Sequence, residues 1–379
     1  MYINIRNTVF CFLFIFMIFL FVNCEKKQYG SYLDLEDLEK IEVTLDIEIG
    51  SEDKYIFGRI RDIIVQPDST MIVSDLGKKT IVQFNAIGKF VGTVAKQGMG
   101  PGEVSTFFNL HDGGEDTLFV QHRGMRQHID LFVRKHGDVL FTYRSSIKFS
   151  EFTNRVVSII GKRGISEYYA NATQSSQNLE QSALSFPYGK SMIVIVDSSK
   201  NILQDSLHVL KSPNSLSHYS QNSMFVIGMP PYQSRDRFRL FNNNRYIIAR
   251  PDSGKIYIYN RDHTIEDTID IKMRERPVKI SDLEYHLQFF SKRYHNEVKD
   301  RIPDFKPPFL NVWVSEDKIL LHIDSTVHGK SMILLAMNGE PIGRFTLTEY
   351  DKVNAFMGNR IYTIHKDQEK GDRIRVYRI

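Results

Sequence analysis

Five stretches of the sequence share one layout, and this repeat constrains the fold more than any other feature. Four of them have a short run of β-branched and aromatic residues, a turn, a second run, a turn with Gly or Asn in most copies, and a third run, and the fifth ends after its second run. A further apolar run precedes each stretch, as in IRDIIVQP and FLNVWVSE. Four strands in a repeated unit are typical of the blade of a β-propeller. The stretches are residues 68–94, 115–143, 243–271, 316–347 and 358–379.

Strand counting adds a sixth unit and closes the ring. The less regular region 153–210 contains SMIVIVDSSKNILQDSL, which fits the outer half of a blade. The last unit lacks its final strand, while KIEVTLDIEI (40–49) has no partner of its own. We therefore predict an all-β fold, a six-bladed β-propeller over residues 40–379. Residues 40–49 complete its last blade, which removes exposed strand edges that would otherwise favour aggregation.

One segment departs from the strand pattern. SDLEYHLQFFSKRYHNEVKDRI (281–302) has apolar residues at intervals of three or four, which predicts a single inserted helix. Ser281 and Glu284 have the spacing of a capping box at its start. Residues 303–309, PDFKPPF, end the helix and lead into the fifth blade.

The inserted helix has two interpretations. In the first it is a structural plug that packs its apolar stripe on the propeller. In the second it is a lid or a partner-docking element, with His286, Phe289 and Tyr294 close to the bound molecule.

The N-terminus has the pattern of an export signal. One cation, Arg6, precedes residues 9–22, which contain no charged side chain. This run is shorter than the ~20 residues that span a bilayer as a helix, and it matches the hydrophobic region of a signal peptide. It ends at Asn23-Cys24 and is followed by EKKQ.

The motif FVNC at residues 21–24 resembles a bacterial lipobox, although Asn23 departs from the small residue usual before the cysteine. The resemblance implies that Cys24 becomes the first residue of the mature chain and carries lipid. We therefore predict a signal peptide (1–23), a lipidated tether (24–39) and a periplasm-facing lipid anchor in the bacterial cell envelope. The alternatives are an ordinary signal peptide with a chance cysteine, or an uncleaved anchor.

Residues 63–103, IIVQPDSTMIVSDLGKKTIVQFNAIGKFVGTVAKQGMGPGE, resemble the NHL-type repeat of six-bladed propellers. In that repeat a strand ends in Val-x-Asp, and a polar turn, Ile-x-x-Phe and a Gly turn follow. The GxGPGE tail is similar to six-bladed propeller lipoproteins of Bacteroidota, often labelled TolB-like. The resemblance implies an architecture and a location, and it implies no particular chemistry.

The glycine-rich stretch 98–102 is a turn between blades in our interpretation. A phosphate-binding glycine loop opens a helix, but the β-branched and aromatic segment EVSTFFNL follows here. Pro101 also removes one N–H group that such a loop would use.

Alignment of the repeats places polar residues at the end of the second strand. In a propeller, equivalent positions form a ring on one face, so these side chains could build a composite ligand site. The alternative is that strand ends meet solvent and are polar in any case, and that an Asp there stabilises its own turn. The candidate residues are Asp75, His122, Arg250 and His365, with His322 and Asp324 flanking the equivalent position of the fifth blade.

Composition excludes several kinds of chemistry. Cys11 and Cys24 are the only cysteines, so a domain that begins at Cys24 has no internal disulfide and no cysteine-based zinc site. The net charge is +4 and the basic residues are scattered, so we expect no nucleic-acid partner. The twelve histidines show no H-E-x-x-H spacing, so no cofactor is evident, although a divalent cation held by dispersed ligands is possible.

These observations favour a binding or scaffold module in the cell envelope, without evident catalysis, for a protein, glycan or peptide ligand. The alternative is a metal-dependent hydrolase or lactonase with its site in the central channel. The two differ in whether three or more Asp, Glu, Asn or His side chains converge around the propeller axis.

Overall fold

The computed structural model describes most of the chain from residue 32 onward. The predicted signal peptide, Cys24 and the first part of the predicted tether lie outside the described residues. Within them, no helix has the length and apolar character needed to cross a bilayer. The described residues are 32–50, 55–114, 117–122, 128–135, 137–148, 156–163, 167–173, 190–197, 201–211, 216–220, 223–241, 245–367 and 369–379.

Six antiparallel four-stranded sheets form the blades, which confirms the predicted all-β six-bladed propeller. Blade 1 contains β2 (Ile60–Val65), β3 (Met71–Asp75), β4 (Thr80–Phe84) and β5 (Phe90–Lys96). Blade 2 contains β6 (Phe108–Asp112), β7 (Thr117–His122), β8 (His128–Val133) and β9 (Thr142–Lys148). Blade 3 contains β10 (Val156–Lys162), β11 (Glu167–Thr173), β12 (Lys190–Asp197) and β13 (Ile202–Lys211).

Blade 4 contains β16 (Arg237–Phe241), β17 (Arg245–Arg250), β18 (Lys255–Tyr259) and β19 (Ile265–Asp270). Blade 5 contains β22 (Asn311–Val314), β23 (Lys318–Thr326), β24 (Gly329–Ala336) and β25 (Pro341–Leu347). Blade 6 contains β26 (Asp351–Met357), β27 (Arg360–Asp367), β28 (Gly371–Arg378) and β1 (Thr44–Ile49). Two small hairpins lie between blades: β14 (Leu216–Ser220) with β15 (Ser223–Gly228), and β20 (Arg276–Pro277) with β21 (Phe305–Lys306).

The first strand of each blade lies next to the axis and contacts the first strands of its neighbours. Asn354 Nδ2 in blade 6 donates to Ile63 O in blade 1 (2.6 Å). Leu110 N in blade 2 donates to Asp62 Oδ2 in blade 1 (3.3 Å). These hydrogen bonds join the inner strands of blades 6, 1 and 2.

Each pair of adjacent blades shares one hydrophobic cluster, so the six interfaces form the core. In β17, Tyr246 and Ile248 pack towards blade 3, while Ile247 and Ala249 pack towards blade 5. A strand buried on both faces needs apolar residues at successive positions rather than at alternate ones. This explains why the sequence of each second strand is a nearly continuous run of apolar residues.

Strand β1 closes the ring, as the strand count predicted. It pairs antiparallel with β28, from Thr44 opposite Arg378 to Ile49 opposite Ile374. Ile49 also belongs to the cluster between blades 6 and 1. The last blade therefore takes its outer strand from the other end of the chain.

The glycine-rich stretch is the predicted turn between β5 and β6. Gly98 N donates to Val104 O (3.2 Å), and Gly100 N donates to the Glu103 carboxylate (2.6 Å). Gly102 has φ of +77°, which a residue with a side chain rarely adopts.

The inserted segment is helical, but it is not one continuous helix. It forms α1 (Ile280–Leu287), a 3₁₀ turn (Lys292–Tyr294) and α2 (His295–Lys299). His295 Nε2 lies 3.1 Å from Phe290 O and competes for that carbonyl, which a continuous helix would use. The predicted capping box is wrong, because Asp282 rather than Glu284 accepts the N–H of Lys279, the residue before the helix (2.8 Å).

The predicted apolar stripe packs within the insert itself. Leu287 and Val298 are buried against each other, and the other four members of the cluster, also from the insert, are partly buried. These are Leu283, Phe290, Tyr294 and Ile302. The insert is thus a small folded unit with its own cluster.

Residues 33–43 pack along the outer strands of blades 4 and 5. Leu33 N donates to Lys272 O (2.7 Å), and Ile41 N donates to Arg344 O (2.8 Å). Leu35 and Leu38 cover the cluster between these two blades. Part of the segment predicted as a tether therefore lies against the propeller.

The closing strand gives the first prediction. Ile49→Ala should lower the free energy of unfolding by about 2–4 kcal/mol, since Ile49 is 1% exposed and its truncation leaves a cavity. Leu45→Ala is the matched control in the same strand, because Leu45 is 49% exposed and should change stability little. Urea unfolding followed by circular dichroism measures both, and equal effects would contradict the closing role of Ile49.

Candidate functional site

One end of the propeller collects the predicted site residues and the insert. Each first strand begins beside the end of its second strand, as in Ile60 opposite Asp75 and Asp351 opposite His365. The insert connects the end of β19 to the start of β22, so it lies at this same end. We call this end the insert face.

The four residues predicted to form a ring lie at this face, but no contact between described residues joins any two of them. Asp75 is fully buried and accepts the backbone N–H groups of Gly58 (2.9 Å), Arg59 (3.0 Å) and Lys78 (3.0 Å). This matches the alternative interpretation, in which the Asp stabilises its own turn. Arg250 is exposed and lies 5.7 Å from the centre of the Tyr257 ring.

His365 belongs to a buried network in blade 6. Its Nδ1 lies 3.0 Å from Asp351 Oδ1. Asp351 also accepts hydrogen bonds from Thr348 (2.7 Å), Thr363 (3.2 Å) and Tyr377 (2.8 Å). The carboxylate is therefore saturated by residues of its own blade, and the network fixes the start of β26.

His122 lies in a second buried network, in blade 2. Its Nε2 is 3.1 Å from Asp130 Oδ2, and its ring stacks on His128 with centroids 4.1 Å apart. Within the described residues, these three side chains are the one group with metal-ligand spacing. All three belong to β7 and β8, so this group does not converge around the axis, as the hydrolase hypothesis requires.

The structure shows a cationic group that the sequence analysis missed. β16 begins at Arg237, and Arg239 follows on the same side of the strand, while Arg235 lies two residues before Arg237. Phe238 and Leu240 point the other way and pack against blade 3, and Asp236 accepts the backbone N–H of Lys211 (2.9 Å). The signal in the sequence was SRDRFRL, with Arg at every second position of a first strand.

Arg239 points towards the first strand of blade 5. Arg239 Nε donates to Val312 O (3.3 Å), and its Nη2 lies 3.5 Å from Asn311 Oδ1. Both partners are in β22, next to the axis. The arginines therefore lie at the inner edge of the interface between blades 4 and 5. Arg235 is nearest the insert face, and Arg237 and Arg239 follow along β16.

No carboxylate in the described part of the chain forms an ion pair with Arg235, Arg237 or Arg239. Burial lowers the pKa of Arg237 to about 9, and repulsion by Arg239 and Arg235 adds to the shift. Burial and the charge of Arg235 lower the pKa of Arg239 to about 10. Arg237 Nε is buried without a hydrogen-bond partner among the described residues. Half-buried positive charge is thus concentrated here without a protein counterion.

Two further basic groups lie nearby in blade 5. His322 Nε2 is 2.9 Å from Ser325 Oγ, and Lys330 Nζ donates to the backbone oxygens of Glu349 (2.5 Å) and Asp351 (2.6 Å). Burial lowers the pKa of His322 to about 4, with contributions from the charges of Lys330 and Arg237. The imidazole is therefore neutral at physiological pH.

A buried ion pair holds the insert on the propeller. Lys306 Nζ lies 2.9 Å from Asp282 Oδ2 in α1 and 2.6 Å from Asp324 Oδ2 in blade 5. Tyr232 OH donates to Asp324 Oδ1 (3.2 Å). Burial opposes ionisation of Asp282, but the hydrogen bonds from Lys306 and Lys279 hold its pKa below the usual value.

A cleft of ≈ 550 Å³ lies beside this ion pair. Tyr232, Phe305, Pro307 and Pro308 supply apolar walls. Ser234, which directly precedes Arg235, also lines the cleft. Three carboxylates, those of Asp252, Glu275 and Asp300, also line the cleft, and Arg235, Arg237 and Arg239 are not among its lining residues.

The three residues predicted for a lid point in different directions. His286 packs edge-on against Tyr232, with centroids 4.9 Å apart, and its Nε2 is buried without a partner among the described residues. Phe289 is exposed, whereas Tyr294 packs inside the insert. Of the three, His286 lies nearest the cleft, because its neighbour Tyr232 is part of the cleft wall.

Comparison with known proteins supports the fold. A candidate exported protein from Bacteroides fragilis matches with a TM-score of 0.53 at 12% identity, over 92% of this chain and 98% of that chain. Virginiamycin B lyase from Staphylococcus aureus matches with a TM-score of 0.41 at 9% identity, over 89% of this chain and 100% of that chain. No family model and no curated protein matches the sequence. The first likeness shows the fold alone, and the second carries no argument.

The buried histidines give a pH-dependence prediction. The pKa of His322 and that of His208 are both about 4 in the folded protein, largely through burial, against 6.5 in a free histidine. Below pH 6.5 the unfolded chain therefore binds protons that the folded chain does not. We expect stability to be highest above pH 6.5 and to fall as the pH drops towards 4, by at most about 3 kcal/mol for each histidine.

Urea unfolding at a series of pH values tests this expectation. His322→Gln should flatten the loss of stability between pH 6.5 and 4, and the exposed His328→Gln is the control. A pH profile that is unchanged in His322→Gln would show that His322 is not the group responsible.

Proposed function

We propose that the protein is a lipid-anchored, periplasm-facing binding module of the bacterial cell envelope, related to the NHL-like and TolB-like propeller lipoproteins. Its insert face binds an acidic segment of a protein, peptide or glycan, with Arg237 and Arg239 as the central contacts. No catalytic step is part of this proposal.

The sequence supports the envelope location. The uncharged run at residues 9–22 is followed by the lipobox-like FVNC, with Cys24 as the residue that receives lipid. The fold likeness to a candidate exported protein agrees with this location. The resemblance of residues 63–103 to the NHL-type repeat supports the propeller group.

The unpaired arginines carry the functional part of the proposal. A half-buried cation without a counterion loses hydration and gains no ion pair, which is unfavourable. A ligand carboxylate would remove this cost, and the planar guanidinium group binds carboxylates through two parallel hydrogen bonds. Arg237 has more unused hydrogen-bonding capacity than Arg239, because its buried Nε has no hydrogen-bond partner among the described residues.

The cleft next to the arginines favours an extended ligand segment. Its volume of ≈ 550 Å³ is in the range of a few amino acids or sugar units. Tyr232, Phe305 and the two prolines at 307 and 308 offer the rigid apolar surface on which peptide backbones and sugar rings pack. An acidic group at one end of such a segment would reach Arg235 first and Arg237 next.

Binding of acidic polymers tests the ligand class. Calorimetry with the domain that spans residues 28–379 would use polyglutamate as the acidic peptide, polygalacturonate as the acidic glycan, and dextran as the neutral polymer. We expect binding of an acidic polymer that weakens with rising salt, since surface-accessible charge pairs are screened. The double variant Arg237→Gln/Arg239→Gln should weaken it at least ~10-fold.

Arg245→Gln is the matched control, because Arg245 lies in the same blade and forms a surface ion pair with Glu266 (2.9 Å). Melting temperatures show whether the variants are folded. The double variant loses the Arg239 hydrogen bond to Val312 O and should melt lower than the wild type, whereas Arg237→Gln alone should melt no lower and still weaken binding. Acidic-polymer binding that is equal in the double variant, or absent from the wild type, would contradict the proposed ligand class.

The anchor gives a separate prediction. Cys24→Ser should abolish metabolic labelling with a palmitate analogue and release the protein from the membrane fraction. Cys11→Ser is the control, since Cys11 lies within the predicted signal peptide and should leave labelling unchanged. Labelling that persists in Cys24→Ser would overturn the lipidation proposal without affecting the arginine site.

A further inference from the structure

Two histidines and one carboxylate meet between β7 and β8, away from the arginine site. His122 Nε2 lies 3.1 Å from Asp130 Oδ2, and His128 Nε2 lies 3.3 Å from Asp130 Oδ1. The three ligand atoms are all within 4.8 Å of one another. Each imidazole thus faces one oxygen of the same carboxylate.

These distances match those between ligands of one metal ion. With metal–ligand bonds of about 2.0–2.2 Å at tetrahedral angles, a nitrogen and an oxygen on one Zn²⁺ are about 3.4 Å apart. The two nitrogen–oxygen distances of 3.1 and 3.3 Å are close to this value. A cation at the two Nε2 atoms would take one oxygen of Asp130 as its third ligand. Because the imidazole planes are only 11° apart, the rings would have to rotate to direct both Nε2 lone pairs at the ion.

We propose that His122, His128 and Asp130 form a Zn²⁺ site that joins β7 to β8. Two imidazoles and a carboxylate are ligands that Zn²⁺ accepts, and three protein ligands leave one position for water. The His128 side chain is 20% exposed, whereas those of His122 and Asp130 are 1% and 2% exposed. The water position therefore lies on the His128 side.

The charge balance of the site favours a cation. Among the described residues, the ion pairs of Asp130 are with these two histidines and with no Lys or Arg. The Asp130 side chain is only 2% exposed, and a divalent cation would neutralise this buried carboxylate.

Neighbouring residues already orient the ligands, as in established zinc sites. Ser146 Oγ donates to Asp130 Oδ1 (2.5 Å) and is itself 2.9 Å from Tyr143 OH. Ser105 N donates to His122 Nδ1 (3.3 Å), and Ser105 Oγ, which donates to Phe107 O (2.8 Å), lies 3.2 Å from the same nitrogen. Nδ1 is therefore an acceptor and the Nε2 proton faces Asp130 Oδ2, so Zn²⁺ at Nε2 would displace this proton to solvent.

Metal analysis of the full chain, purified in detergent, tests the site. The protein would be treated with chelator, dialysed and titrated with Zn²⁺ alone, with calorimetry and thermal unfolding as readouts. We expect about one Zn²⁺ per chain and a melting temperature that rises with Zn²⁺, because a ligand of the folded state stabilises it. Substitution with Co²⁺ should give the intense visible absorption of a tetrahedral centre.

His128→Gln is the decisive variant, because His128 is the most exposed ligand and Gln can still donate a hydrogen bond to Asp130. It should fold and lose Zn²⁺ affinity by at least ~100-fold. His111→Gln is the control, since His111 is in the same blade and contacts Gln121 (3.0 Å) outside the cluster.

Asp130→Asn provides a second variant with the same expected loss of binding. Wild-type protein that shows no stoichiometric Zn²⁺ and no thermal shift would overturn the proposal. If the Zn²⁺ affinity is unchanged in His128→Gln, the metal binds at another site and the proposal is also wrong.

Discussion

The whole structure depends on burial that adjacent blades supply to each other. Each of the six hydrophobic clusters contains residues from two neighbouring blades. A single blade is a sheet with two apolar faces and cannot bury either of them alone. Removal of one interface would therefore expose both of its blades, which is why the ring must be complete. The hydrogen bonds between inner strands and the pairing of β1 with β28 serve this one requirement.

The fold could be predicted from the sequence because the same constraint acts on every blade. Strands buried on both faces give repeated apolar runs, and the unpaired segment at residues 40–49 matched the missing strand of the last unit. The inserted helix was predicted only in part. Its apolar stripe was visible, but the break after Leu287 depends on the contact between His295 and the Phe290 carbonyl, which helical periodicity does not encode.

The candidate site was harder to predict than the fold, because its chemistry depends on which side chains form hydrogen bonds or ion pairs. Asp75, His122 and His365 were found at the ends of second strands, and all three prove to be buried and hydrogen-bonded. Arg237 and Arg239 are in a first strand, and only the structure reveals that no carboxylate of the described residues forms an ion pair with them. The pairing of His122 with His128 and Asp130 could be suspected from spacing, but the shared carboxylate is a property of the β7–β8 register.

The pairing of β1 with β28 also sets the order in which the molecule can be completed. Asp46 and Arg378 form an ion pair although they are 332 residues apart in the sequence. Contacts this distant raise the entropic cost of loop closure and slow folding. Of the described strands, a ribosome makes β1 first and β28 last, so blade 6 is finished only after the other five blades have been made. Until then β1 is an unpaired edge, and the growing propeller needs protection from association with other chains.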